Sequence, residues 1–147
     1  MLCICYLRFG IVFVPTEALV SRGHYKTVGP ATSFPVEATQ VAIEALRATV
    51  ARGNPNWQSV EPEMKIPGYL PIWAGFKTWG RFEKGMSGIW YLSDKANGNY
   101  LIETPRRIRG SDAWEPDDSA DVVFPAGTDL DTVLIRLVTM MQAKAKE

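Results

Sequence analysis

The sequence predicts an α+β domain in which an antiparallel sheet of about five to six strands is packed on one face by two amphipathic helices, in the order β-β-α-(loop)-β-β-β-β-α. Three observations carry this. Runs rich in aromatic and β-branched residues are bounded by Gly and Pro, as strands are. Two segments carry apolar residues at helical spacing. The 147 residues, 46% hydrophobic and 22% charged, suffice for one core and give no reason for a second domain.

The first segment, MLCICYLRFGIVFVP, is too short for a bilayer span, has no basic region before it and is interrupted by Arg8, so it reads as neither anchor nor signal. Tyr6 to Val14 favours a strand, with Gly10 as a bulge and Pro15 ending the ladder because it has no N–H to donate. Ala18 to Val28 reads as a second strand paired with the first, kinked at Gly23. A helix follows, with Thr39, Ile43, Leu46 and Val50 on one face, Arg52 in the last turn and Gly53 as a left-handed terminator. Asn54 to Pro71, with prolines at 55, 62, 67 and 71, reads as a proline-stiffened belt over the core. With Trp57 and Tyr69 it is also one candidate contact surface.

Ile72 to Phe82 is aromatic but broken by Gly75 and Gly80, so strand and irregular readings compete. Ile89 to Ser93 and Asn99 to Glu103 flank a loop ending in Asn-Gly and form a hairpin pattern. Arg106 to Arg109 and Asp121 to Phe124 add two strands. The last helix opens on a capping-box-like pair, Thr128 with Asp131, and carries Leu130, Val133, Leu134, Leu137, Val138 and Met141 as one apolar stripe, leaving Ile135 and Met140 off it.

Few residues suit chemistry near neutral pH, so a binding role is the default and neither catalytic residue nor cofactor is assigned. The single histidine, His24, lies among Arg22 and Lys26 with no evident partner in sequence. Cys3 and Cys5 are expected on opposite faces of a strand and so unbridged. They lack the further ligands that zinc requires and fit a reducing compartment. The acidic stretch Glu115 to Asp121 lacks the glycine and distal glutamate of an EF-hand and reads as a solvated loop. Sixteen basic against sixteen acidic residues give no global field toward nucleic acid or an anionic membrane. Arg106, Arg107 and Arg109 therefore read as paired with nearby acids rather than as a phosphate grip. Tryptophan and arginine are enriched in binding hot spots. The candidate partner-binding residues are accordingly Trp79, Arg81, Arg106, Arg107, Arg109, Trp114, Asp117 and Asp118.

The phrases FGIVFVPTEA (Phe9 to Ala18), ARGNPNW (Ala51 to Trp57), AGFKTW (Ala74 to Trp79) and FPAGTDLDTVLIRL (Phe124 to Leu137) resemble small uncharacterised bacterial proteins. Their broad type is similar to the immunity proteins that neutralise secreted toxins in contact-dependent inhibition. The resemblance implies a non-enzymatic cytoplasmic inhibitor that plugs a toxin's active site, with another protein as partner. If relatives begin at Gly10, Met1 to Phe9 is an upstream extension that the domain does not need. Two alternatives stand beside this reading. One is a hydrolase or nuclease pairing His24 with Glu17, Asp117 or Asp121; the other is a nucleic-acid-binding modulator acting through the Arg106 to Arg109 hairpin.

Overall fold

The computed structural model describes residues 1–147 and is α+β. The chain opens with three strands, β1 (Leu2–Arg8), β2 (Ile11–Ser21) and β3 (His24–Pro35), followed by helix α1 (Thr39–Arg52). Short 3-10 turns at Trp57–Ser59 and Pro62–Met64 lead into helices α2 (Tyr69–Trp73) and α3 (Trp79–Lys84). Strands β4 (Met86–Asp94) and β5 (Tyr100–Glu103), the small hairpin β6 (Arg106–Arg107) and β7 (Trp114–Glu115), strand β8 (Val122–Val123) and helix α4 (Leu130–Ala145) complete it. Six strands form one antiparallel sheet in the order β3-β2-β1-β4-β5-β8, and β6 pairs with β7 outside it.

Where two strands were expected before the first helix there are three, because the turns fall at Phe9-Gly10 and Arg22-Gly23 rather than at Pro15. Phe9 and Gly10 both have positive φ, 47° and 75°, which matches the right-handed twist of a two-residue hairpin. Pro15 lies inside β2, where the β2–β3 register slips between Val14 and Thr16. It does end one ladder. The β1–β2 pairing runs Tyr6 with Phe13, Leu7 with Val12 and Arg8 with Ile11, and goes no further. Continued in register, Pro15 would face Ile4 and offer it no donor.

The opening is filled from the belt. Asn54 accepts from the Leu2 N–H at 3.0 Å and donates to Leu2 O and Glu17 O at 2.8 and 2.9 Å, while Leu19 N donates to Pro55 O. One amide thus replaces the ladder bonds that the proline removed. Met1 to Phe9 consequently supplies an inner strand rather than an appendage, with Cys3, Cys5 and Leu7 buried in the main core. Both cysteines are free thiols on the same face, since residues two apart along a strand share a face, and the expected opposite placement fails. Hydrogen bonding with Cys3, burial and charge repulsion between the thiols push the Cys5 thiol up from its ordinary pKa.

That face packs against α1 and α4. The α4 stripe is buried from Val133 to Met141, and Ala42, Ile43 and Leu46 of α1 meet the same cluster. Arg47 of α1 pairs with Asp131 of α4 at 3.0 Å, and Gln142 donates to Val36 O and Thr39 Oγ1. Gly53 ends α1 with φ 75°, its N–H donating to Thr49 O. The α4 cap is Asp129, whose side chain accepts from Thr132 N at 2.7 Å; Thr128, expected in that role, donates instead to Pro125 O. The Thr132 N–H holds the Asp129 carboxyl below its ordinary range.

The other face is covered as well, which the sequence reading did not anticipate. Ile72 to Phe82, expected as strand or irregular chain, forms parts of α2 and α3, and the Thr78 side chain caps α3 by accepting from Arg81 N. Phe82 sits at the hub of this second cluster, edge-on to Tyr6, Phe13, Phe76 and Trp79 with centroids 5.3–6.0 Å apart. The belt itself is seated by Val60 against Ala18 and Val28, and by Tyr69 and Met64 over the buried Gly29.

Candidate functional site

The sequence candidates separate into two places. Trp79 and Arg81 lie on α3: Trp79 is half-buried against Tyr6 and Phe82, and Arg81 is exposed. Arg106, Arg107, Arg109, Trp114, Asp117 and Asp118 gather around the β6–β7 hairpin and the 3-10 turn Asp118–Ala120 that follows it. The hairpin stands outside the main sheet, yet it is tied down by one side chain.

Arg107 holds it. The guanidinium donates to Asp112 Oδ1 at 3.0 Å, to Glu83 O at 3.3 Å and to Met86 O, and it stacks on Trp114 at 4.8 Å. A planar fork with several donors can satisfy the end of α3, the start of β4 and the hairpin acid together, which an ammonium cannot do in one plane. Arg106 pairs with Glu115 across the strands at 2.8 Å, and that carboxylate, with Asp117 farther off, raises the Arg106 pKa further. Both members of this pair are solvated, so it orients side chains more than it stabilises the fold. Arg109 lies exposed in the hairpin loop beside Ile108, and Asp118 is exposed at the start of the 3-10 turn. Asp117 accepts from Ser119 Oγ, and Asp121 accepts from Thr104 N.

Trp114, Pro105 and Asp117 line two neighbouring cavities that otherwise differ in charge. On one side an acidic cleft of about 170 Å³ is lined by Tyr91, Glu103, Glu115, Asp117 and Asp121. On the other, a larger cavity of about 390 Å³ carries Arg106, Arg107 and Lys144 against the single carboxylate of Asp117. A third cleft, near 450 Å³, lies under the belt between Trp57, Tyr69 and Trp79, with the ammonium groups of Lys26 and Lys65 4.9 and 5.2 Å from the Trp57 ring. The two belt residues singled out in the sequence, Trp57 and Tyr69, thus meet Trp79 there.

His24 is exposed beside the β2–β3 turn and makes no hydrogen bond or ion pair to Glu17, Asp117 or Asp121. No group of three or more His, Cys, Asp or Glu side chains is placed to hold a metal ion, and no helix is long and apolar enough to cross a membrane.

One residue that sequence reasoning mentioned only as a partner for His24 has a distinct environment. Glu17 is 2% exposed, beneath the belt, and Thr27 Oγ1 lies 2.7 and 2.9 Å from its two carboxyl oxygens. Burial raises its pKa from 4.5 to about 7, opposed by the Thr27 hydrogen bond. The nearby Tyr6 and Tyr91 hydroxyls are raised in turn, first by burial and then by the charge of Glu17. An acid flanked by Pro15 and Leu19 in an otherwise apolar strand is the signal that marks it in the sequence.

No protein-family model matches the chain, and no curated protein does. Among solved structures it is similar to a protein of unknown function, NMB0488 from Neisseria meningitidis, with a TM-score of 0.62 and 14% sequence identity over 97% of this chain and 93% of that one. At that identity the likeness concerns the fold.

Proposed function

We propose that this chain is a non-enzymatic protein-binding domain that acts as an immunity-like inhibitor of a toxin, with the β6–β7 hairpin and the adjoining Asp117–Asp118 turn as its contact surface. The observation that carries the reading is the fixing of this hairpin by Arg107 and Trp114, while Arg109, Ile108 and Asp118 remain in solvent. A surface held rigid before the encounter loses less conformational entropy on binding than a free loop does. The opposed charges on the two sides of Trp114 would select a partner carrying both signs and disfavour others. The resemblance to immunity proteins supplies the partner class, and the overall neutrality of the chain is compatible with it because the charge is separated locally.

The test begins with immobilised protein in a native lysate. Retained polypeptides are identified by mass spectrometry, remade and titrated against the wild type and an Arg109→Glu/Asp118→Lys double variant. The expected result is one toxic polypeptide whose activity is suppressed on binding and whose affinity falls at least about tenfold in the variant. Retention of nothing, or equal affinity for the variant, counts against the proposal. Arg107→Ala is a poor probe of contact because the same side chain secures the hairpin.

A further inference from the structure

We infer that the cavity between Trp90, Thr104 and Trp114 is a binding site for an oxyanion. This goes beyond the partner-binding reading and does not depend on it. The cavity, about 390 Å³, is walled by β4, the β5–β6 link, the hairpin, the Asp118–Ala120 turn and the end of α4. Three of its lining residues hold side-chain polar atoms that are buried without any hydrogen-bond partner: Trp90 Nε1, Trp114 Nε1 and Thr104 Oγ1. Trp90 is 1% exposed, so its indole N–H has no ready access to bulk water. Unpaired buried donors are costly in a folded protein, and three around one space call for a shared acceptor.

The rest of the wall adds further donors. Indole, guanidinium and ammonium groups only donate. Arg106 uses only Nε on Glu115, which leaves both of its Nη groups free of protein acceptors, and Arg107 keeps its own Nε. Lys144 is held near the rim by Glu147 at 3.0 Å. Each of these cations keeps a carboxylate of its own, Glu115, Asp112 and Glu147, so what the wall offers the cavity is the N–H groups left over, and the occupant that satisfies these together with the orphaned indoles is a compact group with several lone pairs: a carboxylate or a phosphate. Such a group can arrive as a free ion or on an acidic side chain of a protein, and the chemistry of recognition is the same.

The test uses the five tryptophan indole N–H signals in a nitrogen-proton correlation spectrum, assigned by single Trp→Phe substitutions. Inorganic phosphate and N-acetylglutamate are titrated separately into the intact protein at constant ionic strength, with chloride as the reference anion. The expected result is a saturable shift of the Trp90 and Trp114 signals alone, with affinity about tenfold weaker in Thr104→Val, which keeps side-chain shape and loses the hydroxyl. Tighter binding of phosphate assigns a free ion, and tighter binding of N-acetylglutamate assigns a side-chain carboxylate. Small linear drifts shared by all five signals with both anions overturn the inference, as does an unchanged affinity in a Thr104→Val protein whose spectrum remains folded. Arg106→Gln provides a second check, since its side chain is exposed and its loss leaves the Arg107 anchor intact; it too must weaken binding.

Discussion

Replacing Glu17 by Gln tests whether a buried acid sets the pH dependence of this fold. The carboxyl group is 2% exposed, with a folded pKa of about 7 against 4.5 when freely solvated. The folded state therefore holds a proton between those values that the unfolded state has released, and stability falls as pH rises through the window. The full linkage is about 1.4 kcal/mol per unit over some 2.5 units, or roughly 3 kcal/mol. Between pH 5 and pH 8 about 2–3 kcal/mol of it is lost. Tyr6 and Tyr91, the other titratable groups facing Glu17, are both raised above 10 and stay protonated throughout this range. Urea unfolding of wild type and variant at pH 5, 6, 7 and 8 measures the effect, and subtracting the two curves removes titrations elsewhere. The expected difference is a wild type that loses about 2–3 kcal/mol relative to Glu17→Gln across the series, leaving the variant the more stable protein at pH 8. Parallel curves would refute the assignment. A variant that gained on the wild type at low rather than high pH would refute the sign.

Other outcomes follow from the packing. Deleting Met1 to Phe9 removes β1 from between β2 and β4, and the truncated chain is expected to lose cooperative unfolding in circular dichroism. Gly29→Ala places a Cβ 2.6 Å from Tyr69 Oη and 2.7 Å from Met64 Sδ, so a loss of about 1–3 kcal/mol is expected in urea unfolding, with Tyr69→Ala in the same chain restoring part of it. Arg107→Lys keeps the charge but loses the fork; amide exchange at Ile108 and Ser111 should accelerate by about tenfold while global stability changes by about 1–2 kcal/mol.

The α+β class and the α4 stripe were legible because they follow from local periodicity. Five residues of that stripe are buried as their spacing required. Pro15 illustrates where such reading stops. Its missing N–H ends the ladder to β1, as its chemistry dictates, but β2 continues because β3 lies on its other side and Asn54 enters from a distant part of the chain. A local signal reports the lost bond and not what replaces it. Gly10 alone suggests a bulge in one strand, and since phenylalanine rarely takes a positive φ, the turn at Phe9-Gly10 is disclosed only by the pairing of Arg8 with Ile11. In Ile72 to Phe82 aromatic content suits strands and Gly75 and Gly80 suit irregular chain, and neither local signal reports that Leu70 of α2 and Phe82 of α3 pack on the second face of the sheet. The candidate surface was partly legible for a similar reason. Arg106 to Trp114 are close in sequence and pair locally, whereas the tie from Arg107 to Glu83 and Met86 spans more than twenty residues.

The balance of sixteen basic and sixteen acidic residues leaves no global field, so any charged interface must be local. Within the ordinary screening length of about 8 Å what matters is how charge is arranged, and here acids and bases gather around Trp114, with Arg106 and Glu115 paired across the hairpin. Glu103, Glu115 and Asp121 lie around the acidic cleft, while Arg106, Arg107 and Lys144 lie around the cavity on the other side of Trp114. The Trp114 ring is held by the same guanidinium that ties the hairpin to α3 and β4. On the proposed binding role, a partner would meet both signs at once, and reversing one sign would remove part of the complementarity and set like charges against each other. A chain of zero net charge could be selective on these terms under the proposed role, because specificity would then rest on the local arrangement of charge rather than on its sum.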